Sequence, residues 1–209
     1  MLLNGDLSHL MLIIPLFMIA IGFHEAAHAY TAHYFGDQTP KEEGRLTLNP
    51  LAHLDLFGSL MLVMAGFGWG KSVNVDPRQL RNATLHMPLI AAAGPGANLV
   101  LAVLSMLGLA LVQGTSLAFL GEALMLSARL NAFLMFLNLI PIPPLDGSKV
   151  VRPLLPLGLG RRYDELAPYG IVIFLALIFV PGVSTVFMGT LQGLTTGTLG
   201  LIGALFQLG

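Results

Sequence analysis

The sequence contains no cysteine and few charged residues, and both features restrict the class of protein. Without cysteine the chain cannot form disulfide bonds, and zinc sites built on thiolates are excluded. Only 10% of its 209 residues are charged and 55% are hydrophobic, whereas a soluble domain carries about 25% charged residues. The composition therefore predicts an integral membrane protein, with the lipid bilayer as a partner.

The few charges that are present nearly cancel, because the net charge is −1. That balance gives no reason to propose nucleic acid as a partner. The N-terminal residues also lack the basic region of a secretory signal, so we expect the first apolar segment to be retained rather than cleaved. The length accommodates one domain, residues 1–209, with four to six spanning helices.

The first apolar run, residues 7–36, has one formal charge, that of Glu25. Glu25 directly follows His24, and His28 lies four residues after that histidine. On a helix the two imidazoles share one face and can converge on a single metal ion. A glutamate directly after the first histidine can accept a proton from a water molecule bound to that metal ion. Since an ionisable residue inside a membrane-length apolar segment is costly, the motif indicates a functional site.

We predict an all-α polytopic membrane protein with about five spanning helices, and six as the alternative. Apolar runs place the spans at residues 10–34, 85–113, 118–146, 166–180 and 183–208. Between the first two spans, residues 36–84 are expected on the cytoplasmic side. Residues 44–48 alternate in polarity like a short strand. Residues 56–70 are free of charge but contain only 15 residues and four glycines, which suits a re-entrant segment.

The basic residues determine the expected topology. If residues 56–70 do not cross the membrane, nine of the ten Lys and Arg lie on one side, and Arg129 is the exception. If that segment crosses, the basic loops are split between the two sides. We therefore expect the N-terminus outside and the C-terminus inside. The half of the first span that holds His24 and His28 then approaches the cytoplasmic face.

A catalytic zinc ion usually has three protein ligands and one open position. His24 and His28 supply two of these ligands. The third must be a carboxylate or a histidine that the fold brings back to the same depth in the membrane. Asp146 is preferred, because a helix end and the prolines of residues 141–144 can deliver it there. Glu122 is expected at the opposite face of the membrane. The full set of candidates is Glu42, Glu43, His53, Asp55, Glu122 and Asp146.

Three motifs together resemble the site-2 protease family of intramembrane zinc metalloproteases. In the order of that family they are residues 24–28, the Gly-Pro-Gly-Ala-Asn stretch of residues 94–98, and Asn138 followed by the Leu-Asp-Gly of residues 145–147. Residues 44–50 and 53–55 also resemble a small bacterial and archaeal branch of the family. The chain differs from larger members in having no span before the first motif and no PDZ or CBS domain.

The resemblance implies that His24, His28 and Asp146 bind one zinc ion and that Glu25 is the general base. It implies that Asn138 helps to hold the substrate or its developing oxyanion. The implied substrate is a membrane-embedded or membrane-tethered protein, or a signal-peptide remnant.

Three further residues are candidates for an accessory role in the site: Asn98, His53 and Asp55. Asn98 has the structural alternative of satisfying a kinked backbone. For His53 and Asp55 the alternative is ordinary loop structure.

A second function class is a membrane metal-binding scaffold or an ion transporter without proteolytic activity. Transporters often show inverted repeats and polar residues along several spans, and neither is evident in this sequence. The last predicted span carries Gly189, Gly193 and Gly197 at every fourth position. Such a face serves helix packing, either within the chain or in a homodimer.

Overall fold

The computed structural model of the protein describes residues 7–65 and 68–208, and within them it confirms the all-α fold. The described chain consists of helices joined by short irregular segments and 3-10 turns. In chain order these helices are α1 (Leu7–Tyr34), α2 (Thr39–Glu42), α3 (Leu56–Ala65), α4 (Ala83–Val112), α5 (Gly121–Asn138), α6 (Asp146–Val151), α7 (Leu157–Leu166), α8 (Gly170–Phe179) and α9 (Val183–Leu205).

Three of these helices agree with expected spans. The stretches Met11–Tyr34, Ala83–Val112 and Ala118–Asn138 are each long and apolar enough to cross a membrane. The third ends at Asn138 rather than at residue 146, because the proline-rich residues 141–144 cannot continue a helix and Asp146 begins α6.

The C-terminal region differs from the expected pair of separate spans. Helix α8 has only 10 residues and continues α7 through a 3-10 turn, Ala167–Tyr169. The combined helix Leu157–Phe179 meets α9 at an angle of 86°. The two helices form a candidate membrane span only when they are taken together. Gly182 lies at the predicted break and directly precedes α9, and its φ of +84° is a conformation that favours glycine. The described residues thus contain three to four candidate spans, where five were expected.

The predicted strand at residues 44–48 is wrong. The described residues form no strand, and their β-type pairing is an isolated antiparallel bridge between Leu54 and Gly70. Residues 45–49 have no regular secondary structure, and Arg45 joins this segment through its guanidinium to the carbonyls of Ala52 and Lys71. Within the expected re-entrant segment, residues 56–65 form α3, while residues 66 and 67 lie outside the described part of the chain.

Helices α1, α4 and α5 pack together around small buried side chains. Ala20 on α1 and Ala132 on α5 are fully buried, and so is Ala102 on α4. A neighbouring apolar cluster extends the core from α4 and α5 to α9 through Leu199 and Ile202. The small side chains let the three helix backbones approach closely, which brings the polar groups of all three helices within reach of one another.

Candidate metal centre

Helices α1 and α6 supply three buried polar side chains that meet at one point. His24 and His28 lie one turn apart on α1, and Asp146 begins α6. The Oδ2 atom of Asp146 lies 3.0 Å from Nε2 of His24 and 3.2 Å from Nε2 of His28. The two Nε2 atoms are 3.1 Å apart. Among the described residues, these three form the group of side chains that can hold a metal ion.

The other ring nitrogen of each histidine faces an acceptor. Nδ1 of His28 lies 2.7 Å from the carbonyl oxygen of Ile90, and Nδ1 of His24 lies 2.7 Å from Oδ1 of Asn98. A carbonyl oxygen accepts only, so each Nδ1 must carry the proton and donate it. In the neutral form of each ring, Nε2 then presents a bare lone pair toward Asp146.

Three lone pairs thus point at one another from about 3 Å, an arrangement that a cation between them stabilises. Zinc binds imidazole nitrogen at about 2.0–2.1 Å and carboxylate oxygen at about 2.0–2.2 Å, in tetrahedral geometry. A regular tetrahedron with those bond lengths has an edge of about 3.3–3.6 Å. The observed separations of 3.0–3.2 Å fall just below that edge. The residues present fit a zinc ion.

Two glycines permit this convergence. A Cβ atom on Gly94 of α4 would lie 2.3 Å from Nε2 of His28 and 2.6 Å from Cε1 of His24. A Cβ atom on Gly147 would lie 2.2 Å from the carbonyl oxygen of Leu139. Any side chain at either position would push the histidines or Asp146 away. Gly94 and Gly147 are therefore required by close approach rather than by unusual dihedral angles.

Glu25 and Asn138 line the same cavity as the three candidate ligands. The cavity has a volume of about 710 Å³ and is lined mostly by apolar side chains from α1, α4, α5 and α8 and by residues 68–75. Oε2 of Glu25 accepts a hydrogen bond of 3.1 Å from the backbone N–H of Val73. The amide of Asn138 donates to the carbonyl of Leu134 at 3.0 Å. Glu25 and Asn138 are thus each held by one backbone group and lie beside the cavity.

Lys149 stands at the edge of this cavity. Its Nζ lies 3.9 Å from Oδ1 of Asp146, the oxygen that does not face the histidines, and its side chain is half exposed. The ammonium group compensates part of the charge of the buried carboxylate.

The three accessory candidates differ in whether they contact a candidate metal ligand. Asn98 is fully buried and contacts His24 directly. His53 is also fully buried, but its Nε2 bonds to the carbonyl of Thr47 at 2.8 Å, and burial lowers the pKa of this histidine. Asp55 caps α3, because its Oδ1 accepts the N–H of Gly58 at 2.7 Å.

The other candidates for a third ligand lie elsewhere. Glu42 and Glu43 are exposed, and Glu43 accepts a hydrogen bond from Asn74. Glu122 is exposed at the start of α5. It is 16 residues from Asn138, or about 24 Å along the helix.

Sequence reasoning missed the partners that orient the ligands. The carbonyl of Ile90, which fixes His28, has no sequence signal, since any residue supplies a carbonyl. Asn131 on α5 holds Asn98 through a hydrogen bond of 2.9 Å. Its signal was present in the sequence: a lone amide inside an apolar span needs a buried partner.

Comparison with known proteins gives relatives along most of the chain. It is 36% identical over 197 residues to a Bacillus subtilis protein named "Putative zinc metalloprotease YwhC", covering 91% of this chain and 90% of that protein. It is 32% identical over 190 residues to "Putative zinc metalloprotease Rip2" of Mycolicibacterium smegmatis, covering 84% and 70%. Rip2 of Mycobacterium tuberculosis is 31% identical over 189 residues, covering 88% and 72%. No model of a protein family matches, and no solved structure does.

Proposed function

Because the chain belongs to the family of zinc metalloproteases that includes YwhC and Rip2, we propose that it is an intramembrane endopeptidase of the site-2 type. One observation carries the proposal. Three side-chain atoms that can hold one metal ion adjoin a cavity shared with Glu25 and Asn138. A metal-binding scaffold needs only the first of these features, so the placement of Glu25 favours a hydrolase.

The proposed ligands are His24, His28 and Asp146, with one zinc ion per chain. When bound, zinc supplies Lewis acidity, which polarises the scissile carbonyl and lowers the pKa of the attacking water. Glu25 accepts the proton of that water at Oε1 while Val73 holds Oε2 through its N–H. The same carboxyl group then delivers the proton to the leaving amine.

Asn138 is the proposed donor to the oxygen of the tetrahedral intermediate. Asn138 is the last residue of α5, and one N–H of its amide donates to the carbonyl of Leu134. The second N–H is the proposed donor. Losing one such donor commonly costs about 3 kcal/mol of transition-state stabilisation.

The proposed substrate is a membrane-embedded or membrane-tethered protein or a signal-peptide remnant. Most of the cavity lining is apolar, including Ile21, Met61, Ile171 and Phe179. A helical peptide bond is shielded by its own hydrogen bonds, so the substrate must be unwound where it is cut.

The site is proposed to face the cytoplasm of a prokaryotic cell membrane. Nine of the ten Lys and Arg lie in segments that follow α1, precede α4 or follow α5. All of these segments adjoin the same end of the core formed by α1, α4 and α5. It is the end at which His28 contacts Ile90. The positive-inside rule assigns that end to the cytoplasm.

The test is cleavage in proteoliposomes. Purified protein is reconstituted with a single-span substrate, and product masses locate the cut bond. Wild type is expected to cut within or beside the apolar segment. Cleavage is expected to fall by about 10²–10⁴-fold in Glu25→Gln and to be lost in chelator-treated protein. Zinc binding without cleavage of any membrane-tethered substrate would support the scaffold instead.

A further inference from the structure

A chain of buried polar side chains leads away from His24 and crosses from α4 to α5. Nδ1 of His24 meets Oδ1 of Asn98 at 2.7 Å. Nδ2 of Asn98 donates to Oδ1 of Asn131 at 2.9 Å and to the carbonyl of Ala20 at 3.3 Å. Nδ2 of Asn131 donates in turn to the carbonyl of Ser127 at 2.9 Å. Asn98 and Asn131 are 0% and 1% exposed, so water does not compete for these bonds.

The donor and the acceptor of each hydrogen bond in this series of side chains follow from the last bond of the series, between Asn131 and Ser127. The carbonyl of Ser127 accepts only, so it must face the NH₂ group of Asn131. The oxygen of Asn131 then faces Asn98, which must present its own NH₂ group in that direction. The oxygen of Asn98 is left facing His24, whose proton must therefore be on Nδ1.

The two histidines differ in how this proton is held. His28 donates to a backbone carbonyl, which has no alternative orientation. His24 donates to a side-chain amide, and an amide that turned by 180° would present NH₂ instead. That turned amide would favour the tautomer with the proton on Nε2, the atom that faces Asp146. An Nε2–H group cannot bind a metal ion.

We propose that Asn98 and Asn131 are positioning residues that act as a pair, holding the proton of His24 on Nδ1 and so keeping Nε2 free for zinc. Asn98 makes the contact, and Asn131 supplies the shorter of the two hydrogen bonds that keep its amide from turning, the longer one coming from the carbonyl of Ala20. The inference rests on the proposed zinc function, but it concerns residues that no candidate ligand set includes. Partners that orient metal ligands in this way typically change metal affinity by 10–100-fold when removed.

The experiment measures zinc affinity by competition with a chromophoric chelator, in detergent-purified protein carrying Glu25→Gln to prevent self-cleavage. Asn98→Leu and Asn131→Leu are compared with Ser105→Ala. Ser105 is the matched control, because its hydroxyl lies in the same buried region and bonds to the Ser127 hydroxyl. That hydroxyl is only a distant acceptor for Asn131, at 3.4 Å, whereas the Ser127 carbonyl accepts from the same amide at 2.9 Å. We expect affinity 10–100-fold weaker in both Leu variants and unchanged affinity in Ser105→Ala.

A second readout is the tautomer of His24 in the metal-free protein, taken from ¹⁵N NMR of labelled histidine. Wild type and Ser105→Ala are expected to show Nδ1–H, whereas the two Leu variants move toward a mixture of tautomers. A merely structural role would lower thermal stability without changing this signal. Asn131→Asp is the rescue variant, because a buried neutral carboxyl keeps an acceptor toward Asn98 and a donor toward Ser127.

The outcomes are distinct. Wild-type affinity and an Nδ1–H signal in Asn131→Leu would overturn the inference and leave the protease proposal standing. If Asn131→Leu does not fold, an Asn131→Asp protein that folds but binds zinc as weakly as Asn98→Leu overturns it equally. Wild-type protein that binds no zinc would overturn the proposed function itself.

Discussion

Replacing Gly94 by alanine tests how closely α4 must approach the metal centre. The new Cβ would lie 2.3 Å from Nε2 of His28, about 1.1 Å short of the 3.4 Å at which ordinary contact begins. The ring or the helix must move by about that amount. Metal–ligand distances tolerate only about 0.2 Å, and a misplacement of 1 Å near a reacting centre costs about 100-fold in rate. We expect Gly94→Ala to lose most of its zinc and at least about 100-fold in cleavage rate.

Gly96→Ala is the control for this prediction. Gly96 lies two residues along the same helix, is exposed, and a Cβ there meets nothing within 4 Å among the described residues. Alanine is preferred over glycine in a helix by about 0.8–1 kcal/mol, so Gly96→Ala should keep zinc and activity and be slightly more stable. The assays are zinc per chain, thermal unfolding in detergent and cleavage in proteoliposomes. Gly94→Ala protein that binds zinc and cuts like Gly96→Ala would refute the packing argument.

Three further changes separate chemistry, packing and capping. Glu25→Gln should keep its zinc and fold while cleavage falls by about 10²–10⁴-fold; comparable loss of zinc would assign Glu25 a ligand role instead. Gly147→Ala should be destabilised by about 1–3 kcal/mol in chemical denaturation, because its Cβ would meet the carbonyl of Leu139. Gly158→Ala should not be destabilised, since nothing lies within 4 Å of a Cβ there among the described residues. Equal stability of the two variants would contradict the contact at Gly147. Asp55→Ala should lose about 1 kcal/mol of stability because the cap of α3 is removed, but it should retain zinc and cleavage. Loss of zinc in this variant would indicate that Asp55 takes part in the metal site.

Composition and local pattern were enough to predict the central helices. Long apolar runs place α1, α4 and the start of α5 within a few residues, because chain length and hydrophobicity alone decide a membrane helix. The end of α5 was predicted too late. Its apolar run continues beyond Asn138, and proline geometry rather than hydrophobicity ends the helix.

Tertiary contacts decide the features that the sequence did not reveal. The polarity of residues 44–48 suits a strand, but a strand needs a neighbouring strand, and Arg45 instead joins this segment to Ala52 and Lys71 by side-chain bonds. The two C-terminal apolar runs are correctly divided at Gly182, yet the 86° angle between the helices depends on packing.

The candidate site was predictable where residue type decides the chemistry. His24 and His28 follow from helical spacing, and Asp146 was preferred because the prolines before it return the chain to the same depth. The orientation of the two rings was not predictable, since it depends on the carbonyl of Ile90 and the amide of Asn98 on another helix.

Metal content tests the central claim most directly. Detergent-purified wild type and Asp146→Ala are analysed for zinc after removal of loosely bound metal. The geometry of the three acceptor atoms predicts about one zinc ion per chain in the wild type and loss of that ion in the variant. Wild-type protein without zinc, or Asp146→Ala protein that keeps its ion, would contradict a metal centre formed by His24, His28 and Asp146.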